Sequence, residues 1–540
     1  MKHRCWIGLW ALCGCWGLRA QNTPAFVNIG QEAGLVGVGQ HHAVAIGDYD
    51  NDGDEDIYIG SKFAPNLLYR NDGNMQFTEM AAAAGVADVG STNAVIWFDF
   101  DNDGDLDLAT GNGYSGNPSV PNRFYVNQGD GTFVNMAEEF GVASDLQCRS
   151  IHAADYDRDG YTDLYVVNIN SVNHFYRNLE GAGFENVYTQ TGTLDTGVGM
   201  GSVFFDHDND GDQDLYLTHD ANQTNKLFRN NGNGTFTNIA YFAGLNYQGN
   251  CMGVDVADIN HDGWLDLYIT DLYPSAMFLN DGDGTFSDIS ISSGTNDSGM
   301  TWGCTFFDYD HDGEWDLYIV NDYAFAPLPN ILYKGIGDGT FVPVSAGDPT
   351  LEHAHSDYGL AMGDLDGDGD LDLVTATPLS ATQPGIGLLR NDAATGNWLK
   401  VKLHGTLSNR DAVGARATLY YGGLSRMDEV NIGQGYSGCS TLDLHWGLGN
   451  HVNLDSLVVT WPSGGQSVHA NLAVNSRVEI WEPTGCVADF DFDFVRGTSD
   501  LLQLLSAFGG YATLTDLDGD GVCATGDLLV FLTHFGSACP

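Results

Sequence analysis

Carboxylates at regular spacing are the residues of this chain that could do chemistry. A nine-residue pattern, Asp-x-Asp/Asn-x-Asp-Gly-x-x-Asp, recurs seven times between residues 48 and 372. Its members are Asp48, Asp50, Asp52 and Asp56, with Asp54 inside the loop; Asp99, Asp101, Asp103 and Asp107, with Asp105 inside; and Asp155, Asp157, Asp159 and Asp163. They continue with Asp206, Asp208, Asp210 and Asp214; Asp258, Asn260, Asp262 and Asp266; Asp308, Asp310, Asp312 and Asp316; and Asp364, Asp366, Asp368 and Asp372. Three or four side-chain oxygens within nine residues, set around a glycine, can converge on one hard cation. Calcium takes about 6–8 oxygens, and side chains at positions 1, 3, 5 and 9 with the carbonyl at position 7 supply most of them. Thirty-three of the 72 acidic residues lie in these loops, so without counter-ions each loop repels itself. The expected cofactor is Ca²⁺, about seven ions here.

The elements that must position these loops follow from the period. Successive first aspartates are 51, 56, 51, 52, 50 and 56 residues apart, which suits one four-stranded propeller blade per repeat. Each acidic loop leads into a strand such as Asp266-Leu-Tyr-Ile-Thr270, then one such as Asn225-Lys-Leu-Phe-Arg-Asn230, then a Gly-rich turn and a Phe. A glycine follows that Phe by eight residues in five repeats, at Phe77, Phe133, Phe184, Phe236 and Phe286; Phe341 breaks the rule. The same spacing occurs once outside any complete repeat, from Phe26 to Gly34, while the seventh repeat lacks its last strand. The N-terminal strand is therefore expected to complete the last blade and close the ring, removing open sheet edges. The fold class is mainly β: a seven-bladed β-propeller over 21–395, then a small all-β domain and a short helical calcium-binding tail.

Composition narrows the function. The 540 residues carry 20 basic and 72 acidic side chains, a net charge of −52, and such a field repels nucleic acid and anionic membrane surfaces. Seventy glycines without a Gly-X-Y period favour turn-rich β structure over collagen. Residues 1–20 read as an export signal, with Lys2, His3 and Arg4 before the apolar run Cys5 to Leu18 and cleavage after Ala20. The expected location is secreted or cell-surface, without a transmembrane segment. Seven cysteines remain, at 148, 251, 304, 439, 486, 523 and 539, and Cys486 with Cys539 could clamp the ends of the tail.

On these motifs the repeats resemble the FG-GAP family, including its VCBS-type members, over roughly residues 24–395. The resemblance implies that the calcium loops sit in blade hairpins and are structural, and it transfers no ligand site. Residues 396–483 abandon the period. They carry Asn397-Trp-Leu-Lys-Val401, Ser408-Asn-Arg-Asp-Ala-Val-Gly-Ala415, Trp446-Gly-Leu-Gly449 and Val459-Thr-Trp-Pro-Ser-Gly464, which together resemble the ASPIC/UnbV domain of cartilage acidic protein-like chains. The tail, 484–540, holds two segments offset by 27 residues: Asp489, Asp491, Asp493 and Asp500, then Asp516, Asp518, Asp520 and Asp527. Carboxylates at positions 1, 3, 5 and 12 follow an EF-hand-type loop. The duplication is similar to dockerin modules and implies one or two more calcium ions, with a role in docking, surface retention or capping.

Catalytic constellations are sparse. His41-His42, and Glu352-His353 with His355, are the dense histidine spots, and there is no Gly-x-Ser-x-Gly elbow, HExxH or P-loop. The expected function is a non-catalytic, calcium-dependent extracellular scaffold for adhesion or interaction, with an unidentified protein or glycan ligand. One alternative is a lectin-like binder that stacks Tyr114, Tyr273, Tyr323 and Phe325 on sugar faces. Another is a polysaccharide-active enzyme such as a lyase, which would need basic residues in a cleft.

Overall fold

The computed structural model describes residues 26–37, 39–113, 120–323, 327–345, 348, 350–351, 356–377, 385–483, 496–508, 517 and 523–536. Each acidic loop is a hairpin joining an apolar strand to a second strand that begins on the ninth-position aspartate, as in Gln40–Gly47 with Asp56–Pro65 and Cys251–Ala257 with Asp266–Asp271. These paired strands are rich in Val, Ile, Tyr and Phe, which suit a pleated, packed surface. They lack alternation: in Asp266–Asp271 every residue is buried, because neighbouring sheets cover both faces. A third strand and a short, half-exposed fourth one complete each unit, as Ala276–Asn280 and Phe286–Asp288 do.

Seven such four-stranded antiparallel units follow one another. Their first strands touch in a cycle: Gln40–Gly47 meets Val89–Phe98, then Cys148–Ala154, Gly199–Phe205, Cys251–Ala257, Thr301–Phe307 and Gly359–Gly363, which returns to Gln40–Gly47. The arrangement is consistent with a β-propeller. The last unit is closed by the N-terminal strand Phe26–Asn28, which pairs antiparallel with Ile386–Asn391 in the register Phe26 to Asn391. Apolar packing between adjacent sheets forms the core.

The Phe-to-Gly spacing has a physical reason that links one unit to the next. Gly192 has φ +83°, and a Cβ there would lie 2.7 Å from the Phe236 carbonyl oxygen; Gly34 makes the same approach to Phe77. Positive φ and a backbone in the way of any side chain leave glycine as the residue for this corner.

Residues 397–481 form a sandwich of two sheets. Asn397–His404 lies between Leu444–Gly449 and the parallel strand Ser476–Trp481, and Arg416–Tyr421 lies between Leu424–Glu429 and Ser456–Thr460, with Gln466–His469 outside. Leu399, Val401, Leu419, Trp446, Val459 and Trp461 fill it. The sequence reads this as a separate domain, and it has its own core, yet it is not detached. The segment after Leu424–Glu429 leaves the sandwich and enters the centre of the ring. Ile432 bridges Ala153, Gly435 exchanges both backbone hydrogen bonds with Val254, Gly438–Cys439 pairs parallel to Val44–Ala45, and the Thr441 N–H donates to the Met362 carbonyl. An arm of the second domain thus plugs the channel.

In the tail, helices Thr498–Ser506 and Thr525–His534 bring Leu504, Cys523 and Phe531 together. Among the described residues no helix is long and apolar enough to cross a membrane. Residues 1–20, Cys486 and Cys539 lie outside the described residues. Cys148, Cys251, Cys304, Cys439 and Cys523 are free and buried, and burial pushes the Cys439 thiol up to about 11.

Candidate metal centres in the acidic loops

All seven loops share one backbone design. The first carboxylate accepts from the glycine at position 6, and in six of the seven loops also from the N–H at position 5; Asp48 accepts from Asp52 at 3.1 Å and from Gly53 at 3.0 Å. Position 4 is left-handed, at Asn51, Asn102, Arg158, Asn209, His261 and His311 and at Gly367, and the glycine at position 6 is left-handed as well. Left-handed residues at positions 4 and 6 curl the loop back on itself, so that the carboxylates at positions 1, 3 and 9 approach one another.

The ninth-position aspartate is almost fully buried in every loop. Asp56 accepts from the Tyr49 N–H at 3.1 Å and the Asn71 N–H at 2.7 Å, and Asp107, Asp163, Asp214, Asp266, Asp316 and Asp372 repeat this. Burial raises these carboxyls, with Asp56 reaching about 9 and Asp266 about 8. Asp48, Asp99, Asp155, Asp206, Asp258 and Asp308 at the first position move the same way: burial pushes Asp155 up to about 7, and repulsion from Asp159 adds to it.

Ligand oxygens of positions 1, 3 and 9 come within 4.8 Å of one another in the loops of Asp48, Asp99 and Asp155, and those of Asp206, Asp208 and Asp210 do so in the fourth. The fit to a hard cation rests on orphaned atoms. Among the described residues, one buried oxygen of Asp50, Asp101, Asp157, Asp208 and Asp310, all at position 3, has no hydrogen-bond partner, and neither has one of Asp364. Buried carboxylate oxygens without donors are costly, and a cation placed among them removes that cost. The residues present therefore fit such an ion, with positions 1, 3, 5 and 9 as the side chains that would hold it.

Individual loops differ. At position 3 of the fifth, the Asn260 amide donates to Asp262 at 2.9 Å. Asp105 accepts from Asn51 of the preceding loop at 2.7 Å, while Asp54 is exposed. In the sixth, Lys334 reaches both Asp310 and Asp312. Two signals escape the sequence reading. His207 bonds Asp214 through a ring nitrogen and clusters with Asp208. An asparagine ending each third strand ties its unit to the one before: Asn71 donates to the Leu365 carbonyl, Asn127 to Tyr49, Asn178 to Phe100, Asn230 to Tyr156, Asn280 to His207 and Asn391 to Tyr309, with Gly335 in the sixth place. Its recurrence at the end of the Leu-Phe-Arg-Asn type of strand is the signal that could have found it.

The second domain covers the loop face. Lys400 contacts Asp364 at 2.8 Å, Arg426 contacts Glu314 at 2.8 Å, and Arg416 lies 3.6 Å from Asp206. The Arg410 N–H donates to Asn102, Asp411 accepts from the Asp99 N–H, and His445 bonds the Gly369 carbonyl.

The model of the FG-GAP-like repeat matches residues 48–110, 113–166, 155–217, 206–269 and 315–375, more than half of the chain, and that of ASPIC and UnbV matches 405–486. The chain belongs to the FG-GAP-like repeat family. This FG-GAP-like protein is 27% identical to cartilage acidic protein 1 of Mus musculus over 82% of its own length and 74% of the relative's, and the figures for Homo sapiens are 27%, 82% and 72%. With the Xenopus tropicalis protein it shares 29% identity over 213 residues, 37% of this chain and about a third of that one. Among solved structures, an Agrocybe aegerita lectin that recognises non-reducing terminal N-acetylglucosamine aligns at 19% identity, TM-score 0.39, over 65% of this chain and 95% of its own. YCF48 bound to D1 peptide aligns at 10%, TM-score 0.43, over 68% and 96%.

The remaining candidates of this FG-GAP-like protein do not converge. His41 bonds Ser61 at 3.0 Å, and His42 packs edge-on against Tyr358 and Tyr436 in the channel. Glu352, His353, His355, Tyr114 and Phe325 lie outside the described residues, as do Asp489, Asp491, Asp493, Asp516, Asp518 and Asp520. Asp500 accepts from the Gly497 N–H, and Asp527 from those of Leu517 and Ala524, so both carboxylates cap helix starts.

Proposed function

We propose that this chain is an exported, calcium-binding propeller of seven blades that serves as a non-catalytic interaction scaffold. The observation that carries the reading is the division of labour between the two faces. One face holds the acidic loops and is capped and plugged by the second domain. On the other, the end of the first unit's second strand exposes Phe63, and the links between second and third strands and between successive units expose Leu194, Tyr241, Phe242, Tyr273 and Ile291. Exposed apolar groups that the second domain leaves uncovered mark an interaction surface. Calcium acts here on the scaffold: ions in the hairpins hold each blade's turn, and the blades hold the binding face.

A lectin-like reading is favoured by Tyr273. It is 60% exposed, beside a groove of about 430 Å³ lined by Tyr247, Pro274, Asp288, Ser290 and Asn296. An aromatic face beside hydrogen-bonding side chains suits a sugar ring. Binding of the full chain to glycan arrays and to immobilised extracellular proteins, in millimolar calcium and again in EGTA, separates the two. Calcium-dependent glycan binding lost in Tyr273→Ala selects the lectin, and protein capture without glycan binding selects the scaffold. A melting temperature unchanged by EGTA overturns the calcium-dependent reading altogether.

A further inference from the structure

A cavity of about 50 Å³ lies where the second domain meets the ring, lined by Asp255 from the first strand of the fifth unit and by Asp428, Asn431 and Gln434 from the second domain and its arm. Asp255 is 4% exposed and pairs with no cation among the described residues; its oxygens accept the Val256 and Phe306 N–H groups, each at 2.9 Å. Asp428 likewise has no ion pair and accepts from the Glu429 N–H at 2.8 Å. The basic groups nearby are engaged elsewhere, Arg416 with Glu429, Arg426 with Glu314, and Lys400 with Asp364.

Two amide oxygens complete the set. Asn431 is 8% exposed, its Nδ2 donates to the Glu429 carbonyl at 3.2 Å, and its Oδ1 is buried without a partner. Gln434 repeats this, with Nε2 donating to the Asn431 carbonyl at 3.2 Å and Oε1 buried and unpartnered. Because both amide nitrogens are committed, neither amide can turn over to offer a donor to the cavity. Two carboxylates and two orphaned amide oxygens are a hard-cation donor set, and His445, whose Nδ1 is also buried without a partner among the described residues, lines the same cavity together with Met362. The space admits an ion with one or two waters, since a water needs about 10–15 Å³ of such volume.

We propose that this cavity is an additional calcium site, adjoining the sixth loop through Asp308, which lines it as well, whose ligands come from both domains and which fastens the second domain to the ring. Burial raises both carboxyls, Asp255 to about 7 and Asp428 to about 8, the latter also through the charge of Asp255, and a cation between them would offset that cost. The ion would give calcium a second task, locking the plug.

The test is the calcium stoichiometry of the full chain, measured by elemental analysis after equilibration in millimolar calcium. The double variant Asp255→Asn/Asp428→Asn, close in shape to the parent, should bind one equivalent fewer and show faster proteolysis between the domains. Asn431→Ala, which removes one orphaned oxygen and neither carboxylate, should need about tenfold more calcium to fill its last site. An unchanged stoichiometry in the double variant together with an unchanged isotherm in Asn431→Ala overturns the proposal. A parent that binds no calcium overturns the loop assignment as well, whereas a parent with filled loops and indifferent variants overturns this site alone.

Discussion

The Lys400 ammonium lies 2.8 Å from the Asp364 carboxylate, joining the second domain to the first residue of the seventh acidic loop. Both side chains are almost fully buried, at 6% and 2% exposure, with Asp443 3.9 Å from the same nitrogen. Lys400 is one of only 20 basic residues in a chain with 72 acidic ones. It is buried at the joint between domains, where burial lowers its pKa but Glu55, Asp364 and Asp443 together outweigh that and hold it above its ordinary value.

Removing that charge leaves buried carboxylates without a partner. Lys400→Met should destabilise the calcium-free protein by about 3–5 kcal/mol, the usual cost of breaking a buried pair. The loss should shrink when calcium fills the seventh loop. Thermal denaturation in EGTA and in millimolar calcium reads the difference, and an equal loss in both would show that ion and ammonium act independently.

The inter-blade asparagines should matter one by one. Asn178 donates to the Phe100 carbonyl at 2.8 Å and the Thr162 carbonyl at 3.0 Å, and accepts from the Gly181 N–H at 2.9 Å. Asn178→Ala leaves these buried groups unsatisfied and should cost about 1–3 kcal/mol. Denaturant unfolding checks this, and Gly335→Asn is not the mirror gain, because a Cβ there would meet the Trp315 carbonyl at 2.0 Å.

The arm should be intolerant of side chains. Gly435 has φ +69°, and a Cβ would lie 2.5 Å from the Cys304 carbonyl; at Gly438 it would lie 2.0 Å from that of Leu360. Gly435→Val should unseat the plug while leaving the loops able to bind calcium. Small-angle scattering should show a larger radius of gyration at unchanged loop stoichiometry, and an unaltered radius would refute the plug.

Acid should loosen the same contact through His152. Burial holds this imidazole near 3, its Nε2 accepts the Ser202 N–H at 3.2 Å, and it touches Gly433 of the arm. The folded pKa is thus depressed below the ordinary imidazole value of 6.5. Between about pH 6.5 and 3 the unfolded chain binds a proton that the folded one refuses, so this contribution is complete above 6.5 and is lost as pH falls. In saturating calcium, His152→Gln should flatten the decline of melting temperature from pH 6.5 to 4.5, and an identical slope in variant and parent would exclude His152 as the cause.

Much of this molecule is local and therefore legible in one dimension. The ninth-position aspartate opens each second strand, the Phe of each turn opens each fourth strand, and Phe26 begins the strand that completes the last unit. Each follows from a short-range need: a tight turn, a carboxylate for two backbone donors, a glycine where the chain turns left-handed. The loop chemistry is legible for the same reason, since its ligands lie within nine residues.

The arm was not legible. Val430-Asn-Ile-Gly-Gln-Gly-Tyr-Ser-Gly-Cys439 reads as a glycine-rich link, and its partners Ala153, Val254 and Val44 are hundreds of residues away, with no periodicity to announce the pairing. The same holds for Lys400 against Asp364 and for the cavity between Asp255 and Asp428. Sequence by itself determined the repeating unit, its closure and its acidic loops, because hydrogen bonding and turn sterics act between near neighbours. Tertiary structure alone decided which face is covered, what fills the channel and which carboxylates meet, because those depend on how two independently cored domains pack.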